Sequence, residues 1–418
     1  MMKNSNPRNW LLIGLIGMIS FACSDDDEGG NEGPAPVSGN VIKSGQITTD
    51  ETWTADKVYQ LSGRVVVTDG TTLTIEAGTV IKAEAGQEAN SSTLIIARGG
   101  KLMAEGTATA PIIFTSVADN IEPGNITSPN LNSSFNGLWG GLLVLGKAPI
   151  SVSGDVESTQ IEGIPPSDIN GLYGGTDPND NSGVMRYISI RHGGTLIGDG
   201  NEINGLTLGG VGSGTTIDHI EVVANFDDGI EWFGGNVNCS DLLVWHQGDD
   251  AFDIDQAFSG TLNNLAFLGN SSSDHALEID GPEGSLNGAF TMTNATFIGY
   301  NDGGTDGGEY ADFRDGAQGN LSNIYFTNFS ESSDVELDDD NSSNNYKNGI
   351  LNFNSAWEFN TDHLSGGNMD VADIFVDKSS AGDAFSDLSF SSNVSSSTVG
   401  ADLSQFAGWT LGDAIGAL

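Results

Sequence analysis

Six short segments between residues 204 and 338 repeat one pattern: NGLTLGG from Asn204, DGIEWFG from Asp228, DAFDID from Asp250, HALEID from His275, YADFRD from Tyr310 and DVELD from Asp334. Each alternates apolar and polar residues. The apolar pairs are Leu206/Leu208, Ile230/Trp232, Phe252/Ile254, Leu277/Ile279, Ala311/Phe313 and Val335/Leu337. Between them sit Thr207, Glu231, Asp253, Glu278, Asp312 and Glu336. Alternation with a period of two marks a strand with one buried side. A strand that recurs every twenty-odd residues marks a coil stacked on its neighbours. The chain is therefore expected to be all-β, a right-handed parallel β-helix. Its repeat core should run from about 63 to 340, inside a domain of residues 41–418.

A solenoid removes the need to divide 418 residues into several domains, because each coil packs only on the next. Residues 41–62, with Trp53, Val58 and Tyr59, should cover the open first coil. Residues 341–418, where the pattern decays, should add a closing coil or two and cap the other end. Two Asn-, Pro-, Ser- and Gly-rich stretches, 117–136 and 164–183, read as loops projecting from the coils. The wider gap before Asp312 is filled by the turn-rich stretch 299–309.

The beginning of the chain has a different composition. Lys3 and Arg8 precede an apolar run, Trp10 to Ile19, that is too short to span a bilayer. Cys23 follows Ser20-Phe21-Ala22, and then comes Ser24-Asp25-Asp26-Asp27-Glu28. This resembles a lipoprotein signal peptide (1–22) with Cys23 as the lipidated residue, followed by the acidic surface-export signal of Bacteroidota lipoproteins. Residues 23–40, rich in Gly and Pro, have the composition of a tether. The only other cysteine, Cys239, reads as a small core residue.

The formal charge is -43, from 57 acidic and 14 basic residues. Such a surface repels nucleic acid and anionic membranes, and suits cations, cationic partners or neutral glycans. On neighbouring strands Glu231, Asp253, Glu278, Asp312 and Glu336 should stack as an outward row. Phe233, Asp255, Asp280, Arg314 and Asp338 should form a second row two residues on. Strands lie ~4.8 Å apart, and two unit charges at that spacing repel by roughly 3.5 kcal/mol at an effective dielectric near 20. Arg314, between Asp280 and Asp338, should relieve part of this field. The rest calls for a hard cation such as Ca²⁺, with Glu231, Asp253, Asp255, Glu278, Asp280, Asp312, Glu336 and Asp338 as candidate ligands. The alternative at the same positions is a solvated acidic face with loosely held counterions.

The segments LTIEAGTVIK, APIIFTS and WGGLLVLG, with NDGGTDGGEYADFRDG and SSDVELDDD further on, resemble a family of β-helix surface lipoproteins over residues 41–418. The resemblance implies a lipid anchor in the outer membrane and exposure to the exterior, and it implies no reaction. On this reading the acidic face serves a glycan, a protein partner or an outer-membrane transporter. A second resemblance lies in the turns. Asn225-Phe226-Asp227-Asp228, Gly248-Asp249-Asp250 and Asp274-His275 are similar, in order, to motifs of polygalacturonase-type glycoside hydrolases. That similarity implies Asp227, Asp249 and Asp250 as acid/base carboxylates and His275 as an assisting residue. Arg314 is the one nearby base for a lyase. Asp274 replaces the glycine that precedes the histidine in that family. His192 and His246 share a coil position two coils apart, too far to share a metal.

Overall fold

The computed structural model describes residues 39–86, 91–195, 203–302, 308–364 and 369–418. The signal segment 1–22, Cys23 and nearly all of the tether lie outside the described residues. Twenty-five strands join one continuous, entirely parallel ladder, wound as a right-handed β-helix with three faces. One face carries the repeated segments: Leu206–Gly209, Ile230–Phe233, Phe252–Asp255, Leu277–Asp280, Ala311–Arg314 and Val335–Leu337 pair in succession. The other two faces come from long strands such as Thr216–Val223 and Asn238–Trp245. These bend at a left-handed residue in each coil: Tyr187, His219, Asp241, Asn264, Asn294 and Asn323. Asn tolerates that conformation because its short side chain bonds locally. Here it bonds between coils, as Asn264 Nδ2 donates to Asp241 Oδ1 at 2.7 Å.

The apolar partners of the repeat point inward as expected. Leu206, Trp232, Ile254, Leu277, Phe313 and Leu337 are buried in a single core that runs the length of the solenoid. Cys239 is also buried there, and desolvation raises its thiol pKa to about 12, so it is a neutral packing group.

The ladder extends past the repeat core at both ends. The helix does not start near 63: strand Asn40–Ile47 already pairs with Val58–Val67, with one register shift between Lys43 and Gly45, and Trp53 stacks on Tyr59 at 4.8 Å within the core. Beyond 340, Trp357–Asn360 and Ser391–Asn393 extend the ladder as closing coils. The chain beyond then turns back instead of capping the end. Thr398 is held by Glu358, Asp402 by Asn264, and Leu411 and Gly412 by Glu221. Phe406, Trp409 and Leu411 pack on Leu243, Trp245 and Ala266 on the way. The segment is a strap along one face.

The loops do not project either. The insertion before Leu142–Leu145 is pinned by buried Asp119, by His192 Nδ1 on the Phe135 carbonyl (2.7 Å) and by His246 Nδ1 on Ser133 Oγ (2.8 Å). The next insertion begins at 146, earlier than expected. It lays Ile150, Ile161, Ile164 and Tyr173 over Val66, Ile95, Leu143 and Phe233, the outward residues of the repeat face. That face is thus roofed over its first coils and open over its later ones.

Candidate functional site: a carboxylate channel

The expected row forms in register: Glu231 faces Asp253, Asp253 faces Glu278, Glu278 faces Asp312 and Asp312 faces Glu336. It points away from the core yet is not a solvated face, for each of the five is only 5–8% exposed. A second file, built from the turns before these strands and not read from the sequence as a partner of the first, explains this. Asp228, Asp250, His275 and Glu309 stand on successive coils three residues before the first file, stitched by Gly229 N to Asp250 O (2.9 Å), Ala251 N to His275 O (3.0 Å) and Ala276 N to Glu309 O (3.1 Å). Residues i and i+3 share a side here because the chain turns a corner between them. At Gly229 an added Cβ would meet Val244 Cγ1 at 2.3 Å, so the corner is tight enough to demand glycine. Two acidic files side by side shield each other from water.

Four groups of side chains result. Among the described residues, Asp227, Asp228 and Asp249 bring oxygens within 4.8 Å of one another; so do Asp228, Glu231 and Asp253, and Glu309, Asp334 and Glu336, while Asp250 and Glu278 do so with a ring nitrogen of His275. Asp253 Oδ1 and Asp312 Oδ1 are buried without a hydrogen-bond partner among the described residues. Burial, then the neighbouring carboxylates, pushes Asp228, Glu231 and Asp253 well above the usual range. Burial and Asp280 take Asp255 to about 8. Burial and Asp250 take Glu278 to about 9. Burial also raises Glu309 to about 7 and Asp312 to about 6, each against acidic neighbours.

The centre of the channel differs. His275 Nδ1 lies 2.7 Å from Asp250 Oδ1, which also accepts the His275 backbone N–H at 2.7 Å. Burial would raise Asp250, but these bonds hold it below its ordinary value. Burial would lower His275, but Asp250 carries it up to about 10. Arg314 ion-pairs with Glu278 and, at 2.8 Å, with Asp280. It was expected between Asp280 and Asp338. Its pairs lie instead on the preceding coil, because strand Val335–Leu337 ends before Asp338, which is exposed and outside the four groups. Asp255 and Asp280 stand at strand ends, one pleat on from the file. At the far end Lys378 pairs with Glu336.

Of the residues singled out by the hydrolase similarity, Asp227 and Asp249 meet each other, while Asp250 meets His275. The Asp227–Asp249 spacing falls short of the about 6.5–9.5 Å that lets a water stand between an inverting acid and base. Arg314 cannot serve a lyase as base: its bonds to Asp280 raise its pKa despite burial, so it stays protonated.

Among the described residues no helix is long and apolar enough to cross a membrane. A family model described as a pectate-lyase like beta helix domain matches residues 45–410. No curated protein matches the chain significantly, and no solved structure does.

Proposed function

Because the chain belongs to the pectate-lyase-like β-helix family, we propose that its carboxylate channel is a binding site for divalent cations, Ca²⁺ first, through which it holds a glycan or a protein partner without cutting it. One observation carries the reading. Asp253 keeps a buried, unpartnered oxygen and groups with Glu231 and Asp228, which have no ion-paired basic side chain among the described residues. An unpaired carboxylate in that position is costly, and a hard cation with several carboxylate oxygens satisfies it. Asp228, Glu231 and Asp253 would be the ligands. The cation would bridge an acidic or hydroxyl-rich partner to a face that otherwise repels it.

The location belongs to the same proposal: a lipid anchor at Cys23 in the outer membrane, with display to the exterior, as in the Bacteroidota surface lipoproteins. Cys23→Ser should move the protein from the membrane fraction to the soluble fraction. Retention in the membrane in wild-type amount would refute the anchor.

A second reading, a polysaccharide hydrolase, is favoured by one feature. Asp250 and Glu278 touch, yet one is held below its ordinary pKa and the other raised above it, the direction of the division of labour that acid/base catalysis needs. The two readings separate in one experiment. The full chain carrying Cys23→Ser is mixed with neutral and acidic polysaccharides, with and without calcium. Calcium-dependent binding that is lost in Glu231→Gln/Asp253→Asn, with no release of reducing ends or unsaturated sugar, supports the binding module. Turnover abolished by Asp250→Asn would install the hydrolase.

A further inference from the structure

We propose that the channel holds two separate divalent-cation sites, and that the second, built by Glu309, Asp312, Asp334 and Glu336, carries its own tethered competitor in Lys378. The inference rests on the reading above that the channel takes hard cations.

The division comes from the middle of the channel. There Asp250 is taken by the backbone and ring of His275, and Glu278 and Asp280 by Arg314. Those carboxylates already have partners. Upstream lies the group of Asp228, Glu231 and Asp253. Downstream, Glu309, Asp334 and Glu336 bring oxygens within 4.8 Å of one another, and Asp312 faces Glu336 across one strand pairing. Asp312 is 5% exposed, and its Oδ1 has no hydrogen-bond partner among the described residues; Asp334 Oδ1 and Glu309 Oε2 lack one as well. Two orphaned oxygens, beside a third that meets His275 Nε2 only at 3.9 Å, describe a coordination shell rather than a chance acidic patch.

Lys378 follows strand Phe375–Asp377, the next rung after Val335–Leu337. Its ammonium contacts Glu336, and its side chain is 46% exposed. His275 Nε2 stands 3.9 Å from Glu309 at the inner edge of the group, so two positive charges meet four carboxyls and leave the site under-neutralised. The lysine stem is flexible and half in solvent, so it can swing out without disturbing the ladder. A divalent cation brings twice the charge and accepts six to eight oxygens. It would displace the ammonium, and Lys378 would set the calcium concentration at which the site fills.

The test is calorimetric titration of the full chain with calcium at low ionic strength, with melting curves to verify that each variant folds. Wild type should show two classes of site. Asp253→Asn should remove only the first, and Asp334→Asn only the second, with Asp312→Asn as substitute should that variant not fold. Lys378→Met should tighten the second class about tenfold and leave the first unchanged, whereas Lys378→Arg, which keeps the charge, should bind as wild type. A single class abolished by either aspartate variant would overturn the division. Unchanged affinity in Lys378→Met would overturn the competitor role. Loss of the first class alone in wild type would sink the function proposed above and leave the second site standing.

Discussion

Arg314 is the residue whose removal should be felt most in the channel. It alone among the described residues ion-pairs with Glu278 and Asp280. Arg314→Ala should cost roughly 1–3 kcal/mol, less than a fully buried pair because the guanidinium side chain is 40% exposed. Calcium should return part of that loss; an equal drop in melting temperature with and without calcium would count against the arrangement. The pH dependence follows from the raised carboxyls. A group whose folded pKa exceeds its unfolded value stabilises the fold while protonated, and this contribution disappears as pH rises through the folded value. For Glu278 the window runs from 4.5 to about 9, for Asp255 from 3.8 to about 8, and for Glu309 from 4.5 to about 7. The metal-free melting temperature should therefore fall from about pH 5 to 9. The increment given by calcium should grow over the same range, because the ion needs the ionised form. A flat metal-free profile would show that these carboxyls are solvated after all. The first acidic file was legible in the sequence because alternation names it. The second was legible only in part: Asn204/Thr207, Asp228/Glu231, Asp250/Asp253, His275/Glu278 and Glu309/Asp312 keep one spacing of three, but along a straight strand that spacing falls on opposite sides, and it acquires meaning only once the corner is known.

At the scale of elements, the C-terminal strap depends on two glutamates. Glu221 is fully buried and accepts from Ser189 Oγ (2.5 Å), Trp245 Nε1 (3.0 Å) and the backbone of Leu411 and Gly412 (2.9 Å each). Glu358 accepts from the N–H and hydroxyl of Thr398. Glu221→Ala strands all four donors beside buried Arg191 and should destabilise the fold by about 3–5 kcal/mol. It should also speed proteolysis after residue 397 before the rest of the solenoid is cut; simultaneous cleavage throughout would mean that the strap is not an independent unit. The strap could not be read from sequence. Its aromatics, Phe406 and Trp409, follow no strand period, and their partners lie more than a hundred residues away. The roof over the first coils did leave a trace. RVVV, TLII and GLLVL are unbroken apolar runs where the later repeats alternate, and a strand buried on both sides needs no polar face. Those runs read as ordinary strands because nothing nearby in the chain marks the insertion from 146 to 182 as their cover.

On the scale of the whole molecule, the chain is a solenoid whose repeat face changes character along its length. It is apolar and roofed at first, then acidic and open, while 57 acidic residues face 14 basic ones overall. An excess of that size resists compaction unless counterions collect where the field is strongest, and the channel is where carboxylates are closest and driest. Ordered binding of a cation there is the property on which the proposed function depends. The most direct measurement is an anomalous difference map from crystals of the protein grown in calcium and recorded at long wavelength. The account predicts a peak enclosed by carboxylate oxygens of Asp228, Glu231 and Asp253, with Asp253 Oδ1 among its ligands. A map featureless along the channel, with those carboxyls hydrogen-bonded to one another at calcium concentrations that saturate binding in solution, would contradict it.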